Sequence, residues 1–126
     1  MSRPSKKEYY INLAKEISKR SPCLKLKVGA IIVKDDSIIS TGYNGPHRGY
    51  PHCTECSRKN IPDGKSYDEA CPAIHAEENA IINAARNGIS VKGGEMYLYN
   101  LLGLEPCYRC KRVLINSGIN KVIVNG

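Results

Sequence analysis

Two short stretches constrain this chain more than anything else in it: Pro72-Ala73-Ile74-His75-Ala76-Glu77 and Pro106-Cys107-Tyr108-Arg109-Cys110. Imidazole and thiolate are preferred donors to a tetrahedral zinc ion. If His75, Cys107 and Cys110 share one ion, two segments distant in sequence must meet at a point, and the fold between them is built around that meeting. Cys107 and Cys110 share one face if they lie on a helix. Pro106 suits a helix start, where its missing N–H costs nothing, and a helix N-terminus lowers a thiol's pKa. His75 and Glu77 would lie on nearly opposite sides of a regular helix. Both reach one site only if it lies off the helix end. His75 is therefore expected in the first turn of a helix running to about Asn87, with Gly88 as its stop.

Three protein ligands leave the fourth position of a catalytic zinc to water, and zinc brings the pKa of such a water towards neutrality. Glu77 then has a role as general base and afterwards general acid. It is not expected to ligate, because a carboxylate on the metal would fill the open position. The competing reading is a closed zinc site that only holds the fold. That reading needs a fourth protein ligand and gives Glu77 no task. His-x-Glu followed by Pro-Cys-x-x-Cys is a known signature of zinc-dependent nucleobase deaminases.

The rest of the chain reads as one domain, 1–126, with a modest core. Ser5 to Glu8 forms a capping box, followed by Tyr10, Leu13, Ala14 and Ile17 at helical spacing, and Ser21-Pro22 ends that helix. Lys27 to Val33 is an almost continuous apolar strand, which predicts burial on both faces. Asp35-Asp36 turns the chain, and Ile38 to Tyr43 returns as the second strand of a hairpin. His47 to Pro72 is irregular. In the second helix Ala80, Ile81, Ala84 and Ala85 face the sheet. Met96 to Tyr99 forms the third strand. A helix from about Cys107 to Ser117 carries Cys110, Val113, Leu114 and Ser117 on one face and stops at Gly118. Val122 to Val124 is the last strand, parallel to the third. The result is an α/β fold: a three-layer α/β/α sandwich with a mixed sheet of about four to five strands and an N-terminal hairpin, the metal held between two helix N-termini.

Formal net charge is +7, which suits an anionic substrate, although a generally basic surface explains most individual lysines equally well. No apolar run approaches the roughly 20 residues of a membrane span, and Met1-Ser2-Arg3-Pro4 begins no signal-peptide pattern. Six cysteines at metal-ligand spacings, without such a leader, point to reducing cytoplasm rather than to a disulfide framework.

The chain resembles the cytidine and deoxycytidylate deaminase superfamily, and within it the deoxycytidylate (dCMP) deaminases. The narrower likeness is carried by Val28-Gly29-Ala30-Ile31-Ile32-Val33, by Thr41-Gly42-Tyr43-Asn44-Gly45-Pro46, by His75-Ala76-Glu77-Glu78-Asn79-Ala80-Ile81 and by the helix after Cys110. It departs from the pattern between Tyr97 and Pro106, where many relatives have a shorter stretch, and it ends at Gly126 where relatives often continue. The resemblance implies a cytidine deaminase-like fold and hydrolytic deamination of dCMP to dUMP, with Glu77 catalytic and His75, Cys107 and Cys110 on zinc. It also implies a homo-oligomer, often a hexamer, and dCTP and dTTP as effectors. Deamination of cytidine, dCTP, a base in single-stranded nucleic acid or adenosine in tRNA remains an alternative, as does a silent zinc module. Against nucleic acid, no basic run is interleaved with aromatics.

The resemblance further implies that Asn44 contacts the sugar; a turn asparagine before glycine is the plainer reading. Arg48 and Arg86 are candidates for a bidentate phosphate clamp, or are surface or subunit-contact residues. Tyr43, Tyr99 and Tyr108 are candidates to stack on a pyrimidine, with core packing the stronger reading for Tyr43 and Tyr97. Cys53-x-x-Cys56, with Cys23 and Cys71, provides enough thiols for a second, structural zinc, His52 being a substitute ligand. The alternative has Cys23 as a small buried hydrophobe and the others as incidental thiols.

Overall fold

The computed structural model describes residues 2–56 and 71–126; the middle of the irregular stretch, 57–70, lies outside them. Helix α1 (Lys6–Ser18) opens on the expected capping box, with Ser5 Oγ accepting the Glu8 N–H at 3.1 Å and Glu8 reaching back to Ser5 N–H. Strands β1 (Val28–Lys34) and β2 (Ser37–Tyr43) form the hairpin. Asp35 and Asp36 between them have φ of 52° and 59°, as a two-residue type I′ turn requires. Lys6 Nζ and the Tyr10 hydroxyl both reach the Asp36 carboxylate, at 3.1 and 3.3 Å, so α1 holds the turn in its left-handed conformation. Helix α2 (Ala76–Arg86), strand β3 (Glu95–Asn100), helix α3 (Tyr108–Ser117) and strand β4 (Lys121–Val124) follow.

The sheet order is β2-β1-β3-β4, with β1 antiparallel to both neighbours and β3 parallel to β4. On one face Ile31, Val33 and Tyr97 meet Tyr10 and Ala14 of α1. On the other Ala30, Ile32, Met96 and Leu98 meet Ala76, Ala80 and Ala84 of α2 and Leu114 of α3. This is the three-layer sandwich expected. β1 is covered on both faces, which explains its continuous apolar run; an antiparallel strand open to water would alternate. Of the α2 residues expected to face the sheet, Ala80 and Ala84 are buried, Ile81 is half-buried and Ala85 is exposed.

Two glycines set how closely the helices approach. A Cβ on Gly29 would stand 2.6 Å from the Ser18 backbone nitrogen in α1, and one on Gly42 would stand 2.7 Å from the Ala76 carbonyl oxygen in α2. Helix backbone therefore rests on strand backbone on both faces. α2 is also stitched to β2 by polar contacts. The buried Ser40 hydroxyl donates to the Ala80 carbonyl at 2.6 Å. The Asn79 and Asn83 amides donate at 2.8 Å to the carbonyls of Tyr43 and Thr41.

The segment between β3 and α3 is tied down by two asparagines. The buried Asn100 side chain donates to the Leu104 carbonyl at 2.8 Å and accepts its N–H at 2.9 Å. Asn125 does the same for the backbone of Asn100, at 2.8 and 3.1 Å. Leu101 and Leu102 consequently point outward, 79% and 67% exposed. Among the described residues no helix is long and apolar enough to cross a membrane.

Gly42→Ala is expected to destabilise the fold by about 3 kcal/mol, because two packed backbones must separate to admit one methyl group. A fall in the urea midpoint at unchanged slope checks this. Gly88→Ala, at the exposed end of α2 where no atom crowds an added Cβ, serves as the comparison. It is expected to lose only the smaller cost, about 1 kcal/mol, of a left-handed backbone.

Candidate metal centre

His75 is the N-cap of α2, with extended backbone at φ −70° and ψ 152°. Cys107 occupies the same position on α3, at φ −68° and ψ 169°. Each residue just precedes its helix, one place earlier than expected, and Pro106 precedes the cap instead of filling the first helical position. This placement explains the spacing of two between His75 and Glu77. The imidazole departs from the helix end, whereas Glu77, second in the helix, turns in beside it.

His75 Nδ1 lies 3.2 Å from Cys110 Sγ and 3.6 Å from Cys107 Sγ, and the three donor atoms are mutually within 4.8 Å. Tetrahedral zinc with bonds of about 2.1 Å to nitrogen and 2.3 Å to sulfur separates such donors by about 3.6 Å. Cys110 is fully buried and Cys107 exposed, so the centre has one desolvated side and one open side.

The electrostatics favour a dication. Burial pushes the Cys110 thiol well above its ordinary range, with Glu77 and Cys107 adding repulsion. Glu77 is 5% exposed. Burial likewise raises its carboxyl above the usual range, opposed by its own N–H, the His75 ring and the Cys110 thiol. A buried thiol and a buried carboxyl, with a second thiol beside them, are costly when ionised. A divalent metal supplies the missing positive charge and takes the thiols as thiolates. Donor set and spacing fit zinc.

The other candidate residues divide. Gly45 and Ile74 exchange backbone hydrogen bonds at 3.1 and 2.8 Å, bringing the Gly-Tyr-Asn-Gly loop to within one residue of His75. Asn44 lies on that loop, but its amide donates to the Leu26 carbonyl at 2.8 Å and accepts the Val28 N–H at 2.9 Å. It thereby anchors the start of β1. Arg48 donates to Asn83 Oδ1 at 2.9 Å, midway along α2. Arg86 closes α2, about 16 Å along the axis from His75 at 1.5 Å per residue. Cys23, Cys53, Cys56 and Cys71 line one cavity with Pro22 and Pro46. Among the described residues, only His75, Cys107 and Cys110 come together at ligand distance. Tyr99 packs on the α1 face, with Lys15 Nζ 5.8 Å from its ring centre, away from the metal helices. Tyr97 is core, as expected, whereas Tyr43 is 36% exposed and not core. Tyr108, beside Cys107, is 83% exposed.

Sequence reasoning passed over Glu78 and Arg109. Glu78 Oε1 accepts the His75 N–H at 3.1 Å and Arg109 Nη2 at 3.0 Å. A glutamate at the third helical position is a known partner of the N-cap N–H, so half of this arrangement had a signal in the sequence.

An α/β/α sandwich that holds one histidine, two cysteines and a buried glutamate between two helix N-termini has the architecture of a zinc-dependent deaminase. Residues 4–125 match the cytidine and deoxycytidylate deaminase zinc-binding region, and the chain belongs to that family. It is 36% identical over 129 residues to a deoxycytidylate deaminase of Mycobacterium phage D29, covering 98% of this chain and 96% of the phage protein. It is 38% identical over 125 residues to the deoxycytidylate deaminase of Schizosaccharomyces pombe, covering 96% of this chain but 37% of the yeast protein. The fold superposes with a TM-score of 0.74 at 30% identity on the dCMP deaminase of cyanophage S-TIM5 in complex with dCMP and dUMP, covering 97% of this chain and 82% of that one.

Cys107→Ser and Cys110→Ser are expected to lose zinc relative to the wild-type protein, whereas Glu77→Gln retains it. Atomic absorption of the purified proteins after dialysis against a weak chelator checks this. Zinc loss in Glu77→Gln would make the glutamate a ligand and close the fourth position.

Proposed function

We propose that this chain hydrolyses dCMP to dUMP with release of ammonia, at the centre formed by His75, Cys107 and Cys110. The observation that carries this reading is Glu77: a carboxyl buried against three metal donors, none of which it replaces, in a chain that aligns almost end to end with a phage deoxycytidylate deaminase. The metal would supply a Lewis-acid position at which water is activated near neutral pH.

The chain's own residues supply the rest. His75 and Cys107, each fixed as a helix cap, orient two donors, and Cys110 holds the third from the buried side. Glu77 accepts a proton from the attacking water and passes it to the pyrimidine ring nitrogen. It then carries a second proton to the departing amino group, so one water is consumed and one ammonia leaves for each base converted. A carboxyl held beside the metal donors without ligating is placed both to take and to return protons.

Asn44 is our candidate for the sugar contact. An amide offers two N–H groups and two lone pairs, and the hydrogen bonds to Leu26 and Val28 engage one of each. Arg48, on the same loop, is the nearer candidate for the 5′-phosphate. Arg86, at the far end of α2, is a candidate for the phosphate from across a subunit contact. The net charge of +7 suits an anionic nucleotide.

We read Cys23, Cys53, Cys56 and Cys71 as ligands of a second, structural zinc, which would draw to ligand distance four thiols that here share one cavity. We also read the protein as a single-domain, cytoplasmic homo-oligomer, hexameric in the manner its resemblance implies, and responsive to dCTP and dTTP.

Ammonia release from dCMP, deoxycytidine, CMP and a short single-stranded oligonucleotide tests the proposal. Turnover of dCMP in preference to the others is expected. Glu77→Gln is expected to reduce it by about 10³-fold with zinc retained. Equal rates on dCMP and deoxycytidine would remove the phosphate clamp. Turnover of the oligonucleotide alone would replace the nucleotide substrate by nucleic acid.

A further inference from the structure

The two metal-bearing helices are joined by a contact that none of the metal donors makes. Glu78 stands third in α2, and a single oxygen of its carboxylate, Oε1, meets two groups: the backbone N–H of His75 at 3.1 Å and Arg109 Nη2 at 3.0 Å. Arg109 lies on α3 between Cys107 and Cys110. One carboxylate oxygen thus touches the main chain of one metal ligand and the side chain flanked by the other two. The pair is largely sheltered, with 21% of the Glu78 and 36% of the Arg109 side chain exposed, which distinguishes it from the open ion pairs of Lys6–Asp36 and Lys19–Glu16.

The centre needs such a contact for two physical reasons. Each helix N-terminus carries partial positive charge, and here two of them face one point, so they repel. A carboxylate in the first turn of α2 offsets that field, and its charge-assisted bond to Arg109 draws α3 towards it. The second reason is geometric. His75 is a cap residue: its carbonyl accepts the Asn79 N–H at 2.9 Å, but the direction of its ring also depends on backbone dihedrals that no helical hydrogen bond of its own N–H secures. The Glu78 bond to that N–H secures them. With donors about 3.6 Å apart in a tetrahedral site, a displacement of roughly 1 Å at a reacting centre is enough to lower a rate about a hundredfold.

We propose that Glu78 and Arg109 form a cross-helix staple that sets the spacing between His75 and the two cysteines. Both are positioning residues, acting through the metal donors without touching substrate. This rests on the metal-centre reading above. Groups that orient a metal's ligands typically contribute about 10- to 100-fold to metal affinity or activity.

The test compares Glu78→Ala, Glu78→Gln, Arg109→Ala and the double alanine variant. The readouts are the rate of zinc loss to a chromogenic chelator, the visible absorption bands of the cobalt-substituted protein, and kcat and KM for dCMP. Each single alanine variant is expected to release zinc about tenfold faster, to show altered cobalt bands and to lower kcat about tenfold with KM within about twofold. The double variant is expected to be no worse than the more impaired single one, since either change opens the same staple. Glu78→Gln keeps an oxygen that accepts both hydrogen bonds but loses the charge, and is expected to recover part of the loss. Zinc release and cobalt bands within about twofold of wild type in Arg109→Ala and Glu78→Ala would overturn the proposal, as would a double variant whose loss is the product of the two singles. If Glu78→Ala does not fold, Arg109→Ala and Glu78→Gln decide. Zinc release and cobalt spectra need no substrate, so dCMP turnover by the wild-type protein tests the reaction separately.

Discussion

The structure depends on two helix N-termini brought together at the space of a single ion. Such an arrangement is unfavourable in itself, because both ends carry partial positive charge and both present unsatisfied N–H groups. It becomes favourable once thiolates and carboxylates gather there. Cys107 and Cys110 arrive from α3, and Glu77 and Glu78 from the first turn of α2. The two glutamates have different tasks although they are neighbours. Glu77 is buried and turns towards the metal donors. Glu78 turns along the helix end to the His75 N–H and across to Arg109.

Holding two helix ends in register requires the helices to be seated rigidly, and the sheet provides this through its smallest residues. Gly29 and Gly42 lie on adjacent strands, displaced by one position in the ladder that pairs Ala30 with Gly42 and Gly29 with Tyr43. They open opposite faces, one to α1 and the other to α2. Ala76, Ala80 and Ala84 continue the close approach along α2. Gly42 belongs to the stretch that carries the narrower family likeness, and its structural role is to seat the helix that begins at the metal.

The candidate metal centre was legible in the sequence because its donors match a known signature and their spacing fits two helix ends. Cys-x-x-Cys spans one helical turn, and His-x-Glu makes sense only at a helix end. The layers were legible from the continuous apolar run of β1 and the alanine periodicity of α2. Other features depend on distant partners. Asn44 reads as a turn residue or a sugar contact, yet its amide bonds to Leu26 and Val28, which local sequence does not reveal. Tyr99 reads as a pocket aromatic because it ends a strand near the metal, but strand alternation directs it to the α1 face. The meeting of Arg109 with Glu78 is a contact between residues distant in sequence, and spacing rules do not reach that far.

The asparagines of α2 have a consequence beyond holding the helix in place. β2 is a border strand, and the carbonyls of Thr41 and Tyr43 turn away from β1. Asn83 and Asn79 take both of them. A foreign strand docking on this side would find its hydrogen-bond acceptors already claimed and a helix lying across its path. The end of β2 that supports the start of α2 is therefore closed to strand addition at these two positions. An aggregating neighbour is thus kept away from the strand whose displacement would unseat His75.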